Sequence, residues 1–225
     1  MTDILTVLDH PGIVAGFTLR GFSPAEAGQD AARARLAETL DMPVASVGQV
    51  HEASVAVVRG AGHVPAHDGL VTDRRGLLLS VVAADCALVL LADVAAGVVG
   101  ACHSGWRGTV AGVAGKTVAA MVALGADPER IVAALGPCIS AEAFEVGEEV
   151  AAQFDDAVVL RRPEWPRPHI DLRADLVRQL AQAGVTTVDR SEACTVQGTD
   201  RFFSYRAENG TPGRMLGFIG LRPES

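Results

Sequence analysis

The sequence predicts a mixed α/β or α+β fold with large sheets, and three observations carry the prediction. Strand-length apolar runs recur along the chain, and the richest lie between Leu77 and Ala101. Segments with helix start and stop signals fall between them. No internal repeat, low-complexity segment or long linker divides the 225 residues, so residues 1–225 read as one domain.

Taken in order, Ser23-Pro24-Ala25-Glu26 has the pattern of a capped helix start, and the helix is expected to run to about Leu40. Val44–Val50 and Ser54–Val58 read as strands around a Gln49-Val50-His51 turn. Leu77–Val82, Ala87–Leu91 and Gly97–Cys102 read as strands covered on both faces, because they lack polar alternation. A helix is expected over Gly108–Leu124, with Thr109 as cap and Gly125 as stop. Ile131–Leu135 is a short strand ending at Gly136-Pro137. Glu148–Phe154 and Arg173–Ala183 read as helices, the second closed by Gly184. Phe202–Tyr205 and Met215–Leu221 are expected as late strands.

Composition narrows the function classes. A net charge of −8 argues against a nucleic-acid partner, which calls for a basic face. It leaves room for a small anion held by a few arginines. With 49% hydrophobic but only 4% aromatic residues, the core must be built from Ala, Val and Leu. The N-terminal residues do not read as a signal peptide, and no charge-free apolar run has the length of a membrane span. Cys86, Cys102, Cys138 and Cys194 are scattered rather than arranged as a disulfide framework. The expectation is a cytoplasmic protein without a membrane partner.

His51, Cys86 and His103 each stand at the edge of an apolar strand. Two imidazoles and a thiolate are good zinc ligands, and three protein ligands leave a fourth position open, the pattern of a catalytic site. Spacing alone supports this weakly, since a single Cys on a core strand is usually just buried. His103-Ser104-Gly105-Trp106-Arg107-Gly108-Thr109 strengthens it, because two glycines, a Trp and an Arg gather where a strand meets a helix. Arg107 can bind phosphate or pair with Asp85 or Asp93. Asp85, next to Cys86, reaches the same site only if the strand ends or bends there. It is then a proton carrier or a ligand-orienting group. Gln49 is expected to share a strand face with His51 and to bind substrate or phosphate. Arg20 and Arg206, beside apolar segments, are candidates to clamp an anion. His63 and His67 bracket Pro65 and do not form a helical pair. No G-x-S-x-G, Walker A or dinucleotide fingerprint occurs.

Six segments occur in order: Gln49-Val50-His51, Asp68-Gly69-Leu70-Val71-Thr72, Ala84-Asp85-Cys86, His103-Ser104-Gly105-Trp106-Arg107-Gly108, Leu135-Gly136-Pro137-Cys138-Ile139 and Phe203-Ser204-Tyr205-Arg206. Together they resemble the YfiH-like, or laccase-domain, family of purine nucleoside phosphorylases over nearly the whole chain. The resemblance implies layered mixed sheets flanked by helices and a zinc ion on His51, Cys86 and His103. It implies purine nucleoside and phosphate as substrates: phosphorolysis of adenosine, inosine, guanosine and methylthioadenosine, with some adenosine deamination. Members have also been described as copper-dependent polyphenol oxidases, so copper is the alternative metal. Two departures stand out: Gly21-Phe22 replaces the usual glycine pair after Arg20, and Cys102 and Ser104 flank His103. Cys102 should point away from His103 on a regular strand.

Two rival readings follow from the same residues. In one, Cys86 is the nucleophile and His103 the base of an amidase-type hydrolase that edits cell-wall precursors. In the other, the metal site is structural and the protein is a partner subunit. A multicopper oxidase needs many histidines, commonly in His-x-His pairs; this chain has six and no such pair. The sequence assigns no role to Cys138 and no oligomeric state.

Overall fold

The computed structural model describes residues 3–210 and 213–224. In chain order the elements are β1 (Ile4–Thr6), β2 (Ile13–Thr18), α1 (Gly28–Leu40), β3 (Val44–Gly48), β4 (Val55–Val57), β5 (Gly62–Pro65), β6 (Gly69–Thr72), β7 (Leu78–Ala83), β8 (Ala87–Asp93) and β9 (Val98–Ser104). There follow α2 (Trp106–Val110), α3 (Val113–Ala123), β10 (Val132–Leu135), α4 (Glu148–Ala151), β11 (Val159–Leu160), β12 (His169–Ile170), α5 (Leu172–Gln182), β13 (Thr187–Arg190) and β14 (Met215–Leu221).

Two six-stranded mixed sheets, ordered β1-β2-β14-β7-β3-β5 and β13-β10-β8-β9-β6-β4, pack face to face. Period-2 alternation assigns each strand's side chains to the two faces. Leu79 and Val81 of β7 meet Leu88, Leu90, Val99 and Ala101 of the other sheet in the central core. Leu78 and Val82 point outward, where Ala32 and Leu36 of α1 cover them with Phe218 of β14. On the far side, Val89, Leu91 and Cys102 lie under Val118 and Met121 of α3 and Leu176 and Leu180 of α5. The result is four layers, helix–sheet–sheet–helix. The non-alternating strands are buried at every position, as their composition predicts. No described helix is long and apolar enough to cross a membrane.

One topological feature builds the site. β3, β5 and β7 run parallel in the first sheet. Each is followed by a crossing to β4, β6 and β8 of the second sheet, which also share one direction because β6 and β8 are both antiparallel to β9. The three crossings therefore lie along one rim of the sandwich, and β9 ends at that rim.

Several expected boundaries move. Ser23 does not cap a helix: a 3-10 turn spans Ala25–Ala27, and Gly28 at φ 78° separates it from the α-helical turns of α1. The expected Gly108–Leu124 helix is two helices, because Gly112 sits in the left-handed region at φ 75°. Thr109 does not cap it; Gly105 precedes the first helix, and the Thr109 hydroxyl donates back to the Gly105 carbonyl (2.9 Å). Glu148–Phe154 shrinks to the single turn of α4. Phe202–Tyr205 is irregular rather than a strand, and β1, β2, β5, β6, β11, β12 and β13 are strands the sequence reading did not assign.

Candidate active site

The rim crossings bring His51, Asp68 and Cys86 together, and the end of β9 adds His103. Donor atoms of His51, Cys86 and His103 all lie within 4.8 Å of one another. The two imidazole rings meet edge-on at 4.8 Å between centroids. His51 is exposed at φ 62°, Cys86 is half-buried and His103 is buried.

Asp68 holds this arrangement; it heads one of the six segments quoted from the sequence, which gave it no role. Its carboxylate is fully buried. It accepts from the backbone amides of Val50 (3.2 Å), His51 (3.0 Å) and Glu52 (2.8 Å). It also accepts from His103 Nδ1 at 2.9 Å. The first three bonds fix the left-handed turn at His51. The fourth places the proton on Nδ1 and leaves Nε2 as the lone-pair nitrogen, the usual way a carboxylate orients a metal-binding imidazole. Burial pushes the Asp68 carboxyl up, but the His103 bond and charge and the backbone amides outweigh it and hold it below its ordinary value.

Charge in the trio is coupled. Burial raises the Cys86 thiol, yet hydrogen bonds to His103 and His51 and their charges bring it down to about 6. Burial lowers the His103 imidazole, yet Asp68 and Cys86 raise it to about 9. Each group thus favours the charged form of the other.

The cluster fits a metal on two counts. A nitrogen–sulfur donor set suits zinc or copper. Gly105 also keeps the space clear: a Cβ there would lie 2.9 Å from Cys86 Sγ and 3.3 Å from His51 Cδ2. Its backbone, at φ −76° and ψ 177°, suits any residue. Gly105→Ala is therefore expected to leave the fold intact and to weaken zinc binding by roughly 10–100-fold, as disturbing a metal ligand's surroundings does. Competition with a chromogenic chelator measures it, and unchanged affinity would show that the sulfur has room to move aside.

The trio lines a cavity of about 590 Å³, within the range of small-molecule sites. Trp106, Ile139, Phe144 and Leu172 give it an apolar wall, and Arg206 and Arg214 also line it. Arg214 was not among the residues the sequence offered, and the role of Asp68 shows only once the rim is assembled.

The remaining expected site residues divide. Asp85 sits between β7 and β8 at φ 83°, so the chain bends there and Asp85 and Cys86 both line the cavity. Gln49 lines it too, but its amide is held by the Val82 backbone, donating to the carbonyl (2.8 Å) and accepting from the amide (2.7 Å). Arg206 also donates from its guanidinium to the carbonyls of Ala143 (3.3 Å) and Glu145 (3.2 Å). Arg20 is not among the cavity-lining residues; its guanidinium pairs with Glu208 (2.5 Å) and the Phe202 carbonyl (3.1 Å). Arg107 is exposed, with its guanidinium 4.2 Å from the Trp106 ring centroid rather than paired with Asp85 or Asp93. Cys102 points away from His103 into the layer under α3, where burial pushes its thiol up to about 12. Cys138 is buried in the same layer.

The family described as multi-copper polyphenol oxidoreductase laccase matches residues 25–222. The chain belongs to this laccase-domain family. A relative named purine nucleoside phosphorylase, from Streptomyces griseus, is 45% identical over 210 residues, covering 89% of this chain and 84% of that protein. A relative named adenosine deaminase, from an unknown prokaryotic organism, is 40% identical over 162 residues, covering 68% of this chain and 61% of that protein. The crystal structure of the Bacillus licheniformis protein YfiH superposes with a TM-score of 0.88 at 25% identity, covering 99% of this chain and 97% of that one. Despite the family's description, the described residues of this laccase-domain protein hold one His/Cys cluster of metal-binding geometry.

Proposed function

We propose that this chain is a zinc-dependent purine nucleoside phosphorylase of the cytoplasm, acting on adenosine, inosine, guanosine and methylthioadenosine. The observation that carries the reading is the His51–Cys86–His103 trio opening into a cavity with an apolar wall and two arginines. The names of the relatives support the substrate class. Four unpaired cysteines suit a reducing compartment.

In phosphorolysis, a phosphate oxygen forms a bond to the anomeric carbon of the ribose as the bond from that carbon to the purine nitrogen breaks. The purine leaves with the electron pair and takes up the proton that the hydrogen phosphate gives up on forming the ester. Arg206 and Arg214 bind the phosphate and offset its charge. This moves the anion-binding role away from Arg20, which does not line the cavity. Trp106, Ile139 and Phe144 exclude water from around the purine. His51, Cys86 and His103 would hold zinc, which when bound would supply Lewis acidity. Asp68 keeps the His103 lone pair and the His51 turn in place for it. Adenosine deamination is a second reaction of the same cavity, a reading supported by the relative named for it.

Zinc-loaded protein incubated with adenosine, with and without phosphate, tests both. Adenine and ribose 1-phosphate are expected only with phosphate, and inosine without phosphate marks deamination. No product from any of the four nucleosides would overturn the reading and favour a Cys86 hydrolase.

A further inference from the structure

The irregular segment from Phe202 to Glu208 is tied down on every side. The Arg206 amide donates to one oxygen of Asp85 (2.7 Å), and the Thr195 hydroxyl donates to the other (2.6 Å). Glu208 accepts from the Ser204 amide (2.9 Å) and from Arg20 (2.5 Å). Arg20 reaches on to the Phe202 carbonyl, and the Arg206 guanidinium fastens the segment to Ala143 and Glu145. Asp85 is buried and sits at φ 83°, a region a residue with a side chain keeps only when its surroundings hold it. A surface loop rarely carries so many long-range polar ties.

All of these bonds fix the backbone around one side chain. Tyr205 lines the cavity, yet 58% of its surface is exposed. An aromatic ring on an immobilised backbone loses little further entropy when a flat ligand lies against it.

We propose that Tyr205 is a specificity-determining residue whose ring stacks on the planar base of the nucleoside, and that Asp85 is the positioning residue that holds it there. The assignment rests on the nucleoside reading above. It replaces proton transfer as the role of Asp85, whose two oxygens are directed at Thr195 and at the Arg206 amide.

Tyr205 is exposed, so Tyr205→Ala does not endanger the fold and decides the matter. In zinc-loaded protein it is expected to raise the calorimetric Kd for inosine and the KM by roughly tenfold, the order of a lost base–aromatic stack. Its kcat is expected to stay within about threefold. Tyr205→Trp restores binding. Asp85→Ala gives the same KM-weighted defect with zinc content unchanged. Asp85→Asn largely rescues it, because the carboxamide oxygen accepts the Arg206 amide while its NH2 donates to the Thr195 hydroxyl oxygen. A proton carrier gives the opposite pattern, with kcat lost in Asp85→Asn and KM kept. Wild-type binding with an unchanged Kd in Tyr205→Ala overturns the stacking assignment alone. Wild-type protein that binds no nucleoside overturns the nucleoside reading and this assignment with it.

Discussion

Cys86→Ala is expected to release the metal and to lower kcat/KM for nucleosides far beyond the roughly 10–100-fold that loss of an outer-shell partner brings. Cys86 is the trio's anionic donor, and removing it leaves two neutral imidazoles to compete with water for the ion. The void lies against Gly105, which has no side chain to fill it. Lost turnover alone does not separate a ligand from a nucleophile, because a thiol hydrolase also dies with this change. Metal content separates them. A ligand role requires substoichiometric zinc in the purified variant and chelator-sensitive turnover in the wild type. A variant that keeps one zinc per chain and its activity would sink the proposed centre.

The same side chain reports on its neighbours in the metal-free protein. With the Cys86 thiol at about 6, carboxamidomethylation should rise as pH climbs through that value and level off above it. Cys102 and Cys138, at about 12 and about 11, should stay unmodified in the folded chain. Added zinc should protect Cys86.

The sequence marked the residues that gather in the trio better than it marked their supports. His51, Cys86 and His103 were recognisable because their residue types are specialised and each ends an apolar run. The long non-alternating strands β7, β8 and β9 were recognisable for the same local reason. Gly112 was visible as a glycine inside a helical stretch, but only the left-handed backbone there shows that it divides the helix. Arg20 and Gln49 read as free polar groups because their partners are distant in sequence: Glu208 lies 188 residues from Arg20, and Val82 lies 33 from Gln49. Phe202–Tyr205 looked like a strand because it is apolar, yet its geometry is set by Asp85, Arg20 and Glu208 rather than by ladder bonds. The three sheet-to-sheet crossings have no local sequence pattern, so the rim that assembles the site was legible only in space.

Asp68 shows how much depends on that rim. Asp68→Ala strips four donors of one acceptor group in a buried place. Buried donors left unpaired cost about 1–3 kcal/mol each, so even after partial relaxation the loss should reach about 3–5 kcal/mol. In a chain of this size that lowers Tm by roughly 6–20 °C. Asp68→Asn is the sharper test. Its oxygen can still serve His51 and His103, but its NH2 faces the amides of Val50 and Glu52, donor against donor. We expect a smaller fall in Tm and zinc affinity down by roughly 10–100-fold, since a neutral amide polarises His103 less than a carboxylate. The pH dependence has a fixed sign. The Asp68 carboxyl lies below its ordinary value in the folded chain. Its stabilisation is therefore present above the unfolded carboxylate pKa of about 4 and lost as pH falls through the lowered native value. Thermal melts of metal-free wild type and Asp68→Asn should converge as the solution is acidified. Parallel curves, or zinc affinity unchanged in Asp68→Asn, would mean that the strands alone hold His51 and His103 in register.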